Sequence, residues 1–106
     1  MTEESKKVLE KKSENDNVVF IGTKPFMNYV TSVAMQFITK RQQEVIIKAR
    51  GKFITRAVDV AEVSKKRFLE NQKIEVKDIK IGSEEFETQE GKKINVSTIE
   101  IILKKK

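Results

Sequence analysis

The spacing of apolar positions changes along the chain, and each change marks an element. Residues 17–22 form a short apolar run, Val18-Val19-Phe20-Ile21, closed by Gly22, which predicts a buried strand. Thr23 and Lys24 follow. Pro25 then stands at the predicted first helical position, where its preset φ and missing N–H suit a helix start. Over residues 25–40 the apolar set is Phe26, Met27, Val30, Val33, Ala34, Phe37 and Ile38, the period of a helix with one buried face. Lys40 and Arg41 suit its C-terminal dipole. Within residues 44–48, Val45-Ile46-Ile47 predicts a second short buried strand. A second helix is expected from Phe53 to Phe68. It carries two stripes, Ile54, Ala57, Val58, Ala61 and Phe53, Val60, Val63, Phe68. A two-layer domain needs one buried stripe per helix. Periodicity leaves two readings open: the surplus meets a second copy of the chain, or the stripes merge into one broad core face.

Residues 73–82 alternate, with Ile74, Val76, Ile79 and Ile81 against Glu75, Lys77, Asp78 and Lys80. Residues 93–103 alternate too, with Ile94, Val96 and Thr98 in one phase and Ile99, Ile101 and Leu103 in the other. Ser83 to Lys92 is rich in Glu and Lys, and Glu90-Gly91 is a turn signal. This predicts a long β-hairpin whose tip projects past the body. Residues 1–16 hold mostly charge, with Val8 and Leu9 as the apolar exceptions, so a mobile tail is expected ahead of a single domain at 17–106. The predicted order is strand-helix-strand-helix-strand-strand. Helical crossovers make the first three strands parallel, and right-handed crossovers put both helices on one face. Parallel strands share a C-terminal end. The Thr23-Lys24 corner, the Arg50-Gly51-Lys52 corner and the hairpin tip are therefore predicted to converge there.

Composition narrows what such a surface could meet. Lys plus Arg is 22 against 16 Asp plus Glu, a net charge of +6 in 106 residues. That balance favours polyanions. The chain has no Cys and no His. Disulfides, thiolate chemistry, the Ser-His-Asp triad and typical zinc sites are thereby excluded. No cofactor and no metal are expected. Paired carboxylates stay formally open, but the acids are scattered among lysines, so a hydrolase is the weakest reading. No apolar run is long enough to span a bilayer, and a soluble intracellular protein is expected.

The candidate binding residues follow from the corners. Lys24 sits beside helix N-terminal amides, a setting that suits phosphate. Lys48, Arg50 and Lys52 alternate around Ala49 and Gly51, and Gly51 permits close backbone approach. Asn28 either contacts phosphate or is a polar first-turn residue. Tyr29 either stacks on a base or packs in the core with its hydroxyl at the rim. Lys92 and Lys93 on the arm either follow a groove edge or keep the hairpin hydrated. Lys65, Lys66 and Arg67 read as a solvated helix end.

Six segments, in order, resemble the Alba family, the Sac10b-type chromatin proteins of archaea. They are Asn17-Val18-Val19 with Ile21-Gly22, Lys24-Pro25 with Met27-Asn28-Tyr29-Val30, Ile47-Lys48-Ala49-Arg50-Gly51, Ala57-Val58-Asp59, Arg67-Phe68-Leu69, and Val96-Ser97-Thr98-Ile99-Glu100-Ile101. The resemblance covers about residues 17 to 104. It implies an α/β, two-layer β-α-β-α-β-β sandwich with a mixed four-stranded sheet and a projecting hairpin, similar to the C-terminal domain of translation initiation factor three. It implies a homodimer, associated with the chromosome in the cytoplasm, that binds double-stranded DNA and RNA with little sequence preference. The central loops then meet the backbone and the hairpin arms reach the minor groove. Phe53, Val60 and Phe68 are the candidate dimer or dimer–dimer contacts, and Phe68 matches the family position for packing dimers along DNA. The family often has two lysines before the proline, the first an acetylation target. Thr23 replaces that lysine here, so Lys24 is the residue left for acetylation. Glu84, Glu85, Glu87 and Glu90 make this arm more acidic than a groove-binding arm requires. The alternative function is an RNA-binding subunit of a ribonucleoprotein.

Overall fold

The computed structural model describes residues 17–68 and 70–106, with the side chains of Phe68 and Glu70 outside that description. The tail expected at residues 1–16 also lies outside the described residues. Strand β1 is Val18–Phe20, helix α1 Phe26–Ile38, strand β2 Glu44–Arg50, helix α2 Ile54–Val63, strand β3 Ile74–Glu87 and strand β4 Lys93–Lys105. A 3-10 turn, Gly51–Phe53, leads into α2, and a π turn, Ser64–Phe68, follows it.

The sheet has four strands in the order β1-β2-β4-β3. β1 pairs parallel with β2, and β4 lies antiparallel between β2 and β3. β3 therefore runs in the direction of β1 and β2, as predicted, but touches neither. The C-terminal ends of β1, β2 and β3 and the start of β4 share one end of the sheet.

Val45, Ile47 and Ala49 of β2 and Ile99, Ile101 and Leu103 of β4 point to the helix side and are buried. They pack with Val30, Val33, Ala34 and Phe37 of α1 and Ala57, Val60 and Ala61 of α2. Phe37, Ile47, Leu103, Val30, Val33, Val45 and Val60 are fully buried. Each such side chain contributes about 1.5–3 kcal/mol by leaving water, so this layer dominates the stability.

The two stripes of the second helix merge. Ala57, Val60 and Ala61 are buried, Phe53, Ile54 and Val63 pack against the core, and among the described side chains of the two stripes Val58 alone is exposed, at 42%. In α1 the inward face rotates slightly from the predicted set. Tyr29 is inside at 6% exposure, while Met27 and Ile38 face out. Pro25 is the N-cap, with ψ at 142°, and Phe26 is the first helical residue. Helix α1 ends at Ile38, before Lys40 and Arg41. Arg41 adopts φ 53° and turns the chain, and the Gln42 N–H returns to the Gln36 carbonyl at 3.0 Å.

The third strand does not alternate without a break. A register shift lies between Val76 and Asp78, which places Lys77 in a bulge. Ile74 and Val76 pack against the core before it. Ile79 and Ile81 return to the helix-side face after it, opposite Ile101 and Ile99. β2 pairs with β4 no further than Arg50↔Thr98, so the hairpin from Ser83↔Ser97 outward has no third strand. This is the projecting arm. Its turn places Gly91 at φ +88° and sends the Gly91 N–H to the Thr88 carbonyl at 2.9 Å. The Thr88 N–H returns to the Lys92 carbonyl at 2.8 Å and closes the loop.

Candidate nucleic-acid interface

Two corners and the root of the arm meet at the shared end of the sheet. The first corner, residues 22–25, leaves β1 and enters α1. Its shape is set by Tyr29, whose ring is buried and whose hydroxyl accepts the N–H groups of Gly22 and Lys24, each at 2.9 Å. Tyr29 therefore takes the core position with its hydroxyl at the rim, and it is not free to stack on a base. The same contacts correct a second expectation. These two loop amides face the tyrosine rather than an outside anion, and the cationic group that the corner offers to solvent is Lys24. The first-turn amides of Phe26 and Met27 lack intrahelical partners, as at any helix start. Asn28 is exposed on that turn. An open groove of about 600 Å³ runs beside it, lined by Phe20, Lys24, Asn28, Thr31 and Ser32 among others.

Arg56 ties this corner to the second helix. Its guanidinium Nη1 donates to the Lys24 carbonyl at 3.1 Å and lies 6.0 Å from the Phe26 ring centroid. Sequence reasoning missed Arg56. Its available signal was the helical spacing Lys52 to Arg56, which puts both cations near the start of α2.

The second corner turns at Gly51, whose φ of +60° disfavours a side chain. A Cβ there would stand 3.4 Å from Val96 Cγ1, so the corner rests on the root of the arm. Arg50 reaches from it to Glu84 of the arm at 2.7 Å and lies 5.1 Å from the Phe86 ring centroid. Lys48 pairs with Glu100 at 3.5 Å and lies 5.8 Å from the Phe20 ring centroid. Lys52 lies 5.5 Å from the Phe53 ring and, like Lys24, makes no ion pair within the described residues.

The predicted basic set thus separates into two kinds. Lys24 and Lys52 make no ion pair within the described residues. Lys48 and Arg50 are matched with carboxylates, but those pairs are half-exposed and worth about 0–1 kcal/mol. A charge-assisted phosphate contact is of similar or greater strength, so a phosphate can displace Glu84 from Arg50. Lys92 and Lys93 stand at the far end of the arm, away from the corners. The Lys92 N–H donates to Thr88 Oγ1 at 3.1 Å. Lys65 and Lys66 both reach back to Glu62, at 3.5 and 3.6 Å, which keeps that helix end a solvated face.

The expected contact set needs correction at Val60. It is fully buried within its own protomer, and a fully buried side chain has no surface to offer a partner. Phe53 is half-buried against the core. The side chain of Phe68 lies outside the described residues. Exposed apolar side chains lie elsewhere, Ile79 at 54% and Ile81 at 82% among them.

A family model for Alba matches residues 17–83 of this chain. The chain belongs to the Alba family. It is 52% identical over 88 residues to the DNA/RNA-binding protein Alba of Methanococcus maripaludis, covering 83% of this chain and 97% of that one. It is 55% identical over 91 residues to the DNA/RNA-binding protein Alba 1 of Archaeoglobus fulgidus, covering 86% and 98%. Among solved structures it resembles Alba from Thermoplasma volcanium with a TM-score of 0.76 and 42% identity, covering 84% of this chain and all of that one. Family membership assigns the chain to a non-enzymatic class. Among the described residues no cluster of acidic side chains could hold a metal ion, and no helix is long and apolar enough to cross a membrane.

Tyr29→Phe tests how the first corner is held. The variant leaves the Gly22 and Lys24 amides without their acceptor, and an unmade bond at a partly buried donor costs about 1–3 kcal/mol. A lower Tm in a thermal melt is the expected result. An unchanged melt would show that the hydroxyl does not hold the corner.

Proposed function

We propose that this chain is a non-catalytic architectural protein that binds double-stranded DNA with little sequence preference and also binds RNA. It works as a homodimer associated with the chromosome, through its basic corners and hairpin arms. The convergence of Lys24, Lys52 and Arg50 beside the arm root carries this reading. They form a cationic end to the sheet, with no recognition helix to read base edges. The DNA/RNA-binding names of the archaeal relatives point the same way. Lys24, exposed and without an ion pair within the described residues, is the side chain at which acetylation would remove one cation from this end. The open apolar face at Ile79 and Ile81 supports dimerisation, since a second copy covering it would take that surface out of water.

Salt dependence tests the reading. Each phosphate neutralised on duplex DNA contributes about 0.9 to the fall of log affinity with log salt. Steep, parallel slopes for duplex DNA and for structured RNA of matched length are expected. Much tighter RNA binding with a shallow slope would move the chain to the alternative, an RNA-binding subunit of a ribonucleoprotein, which the acidic arm residues Glu84, Glu85, Glu87 and Glu90 favour.

A further inference from the structure

The sheet face opposite the helices carries a pocket that shares Arg50 with the cationic end. Phe20 lies on this face of edge strand β1 and is 67% exposed. Next to it is a shallow pocket of about 250 Å³ lined by Phe20, Lys48, Arg50, Glu84, Thr98 and Glu100, with backbone of neighbouring residues as its floor. Register places Lys48 and Arg50 of β2 beside Glu100 and Thr98 of β4 on one face. The pocket therefore has two cations and two carboxylates, paired as Lys48–Glu100 at 3.5 Å and Arg50–Glu84 at 2.7 Å.

With both cations already matched by carboxylates, this pocket holds a bare phosphate less well than Lys24 and Lys52 do, which make no ion pair within the described residues. It suits a flat, neutral group that has both hydrogen-bond donors and acceptors. Arg50 and Lys48 can donate to carbonyl oxygens and ring nitrogens. Glu100, Glu84 and Thr98 Oγ1 can accept from amino hydrogens. The Phe20 ring supplies a stacking surface at the rim. A nucleobase has this combination, and it is available only when unpaired, because in a duplex both faces are stacked and the pairing edge is occupied. We propose that the Phe20 pocket binds an unpaired nucleobase of a single-stranded segment, next to the cationic end that holds the backbone. The site rests on the nucleic-acid reading above and adds to it a preference for unpaired nucleotides that a backbone binder lacks.

Base–aromatic stacking in single-strand binders is lost on replacing the ring, at a cost that converts to roughly 5- to 140-fold in affinity. Phe20→Leu removes the ring at an exposed strand position and keeps an apolar side chain, so the fold is retained. Its affinity is measured for a short single-stranded RNA, for single-stranded DNA of the same sequence and for the matched DNA duplex. The expected result is a loss of that size on single strands with duplex affinity unchanged. Loss on both single strands assigns the pocket to the base and backbone that RNA and DNA share, and loss on RNA alone assigns it to RNA. Either upholds the site. The chain has no tryptophan, so Phe20→Trp adds a reporter whose emission is expected to be quenched by the single strands and not by the duplex. Single-strand affinity equal to wild type in Phe20→Leu would overturn the site and leave the backbone-binding reading intact. Wild-type protein that binds neither form at low salt would overturn both.

Discussion

Ile79→Glu with Ile81→Glu is expected to give a folded monomer that binds duplex DNA about 10²- to 10⁴-fold more weakly than the parent. Both side chains lie on the helix-side face of edge strand β3, after the Lys77 bulge. Their cross-strand partners Ile101 and Ile99 are buried at 3% and 9% exposure, yet they themselves are 54% and 82% exposed. After the bulge the helix-side face of β3 is left open. An apolar edge of this kind is a liability in an isolated protomer, and burying it against a second copy removes the liability. Charges at such exposed positions cost the protomer little, within about 0.5 kcal/mol each. The loss therefore falls on association. A monomer brings one cationic end to the duplex instead of two linked ones, and the quoted range is what linkage of two modules typically adds. Light scattering after size exclusion reads the mass against 12.3 kDa for one chain. A parent that already elutes as one chain, or a variant that stays a dimer, would refute this interface.

Lys24→Ala with Lys52→Ala is expected to lower the salt slope for duplex DNA by about 3 to 4, since a dimer loses four cations and each accounts for about 0.9. Affinity at physiological salt should fall by up to about 10³-fold, equally for all sequences. These two lysines were chosen because they make no ion pair within the described residues, whereas Lys48 and Arg50 are matched by Glu100 and Glu84. Both are exposed, so the fold should melt as the parent does. A slope unchanged in the double variant would place the phosphate contacts elsewhere on the molecule.

Much of this surface was legible before the fold was known. A strand-helix-strand-helix-hairpin order follows from period changes that each span only a few residues. The bulge at Lys77 was not part of that reading, which took residues 73–82 as one alternating run. The convergence of the corners required only the direction of parallel strands. Three further details were not legible. Phe20 read as part of a buried strand because a short apolar run has no period to show which side lies open. Tyr29 read equally as stacker or core residue because nothing local says where a hydroxyl seven residues after Gly22 will point. Val60 read as surplus because a helical stripe does not show how wide the opposing sheet is.

The amino-acid sequence by itself determined the elements, their order, the cationic balance and the exclusion of thiol and imidazole chemistry, because these depend on composition and on contacts between near neighbours. Tertiary structure alone decided that β4 lies between β2 and β3, that the second helix has one inward face, and which cations remain unpaired. Arg50 and Glu84 are 34 residues apart and Lys48 and Glu100 are 52 apart. Such pairs form only once strand register has brought them to one face. The fold thereby sets Lys24 and Lys52, without an ion pair within the described residues, beside a charge-balanced pocket.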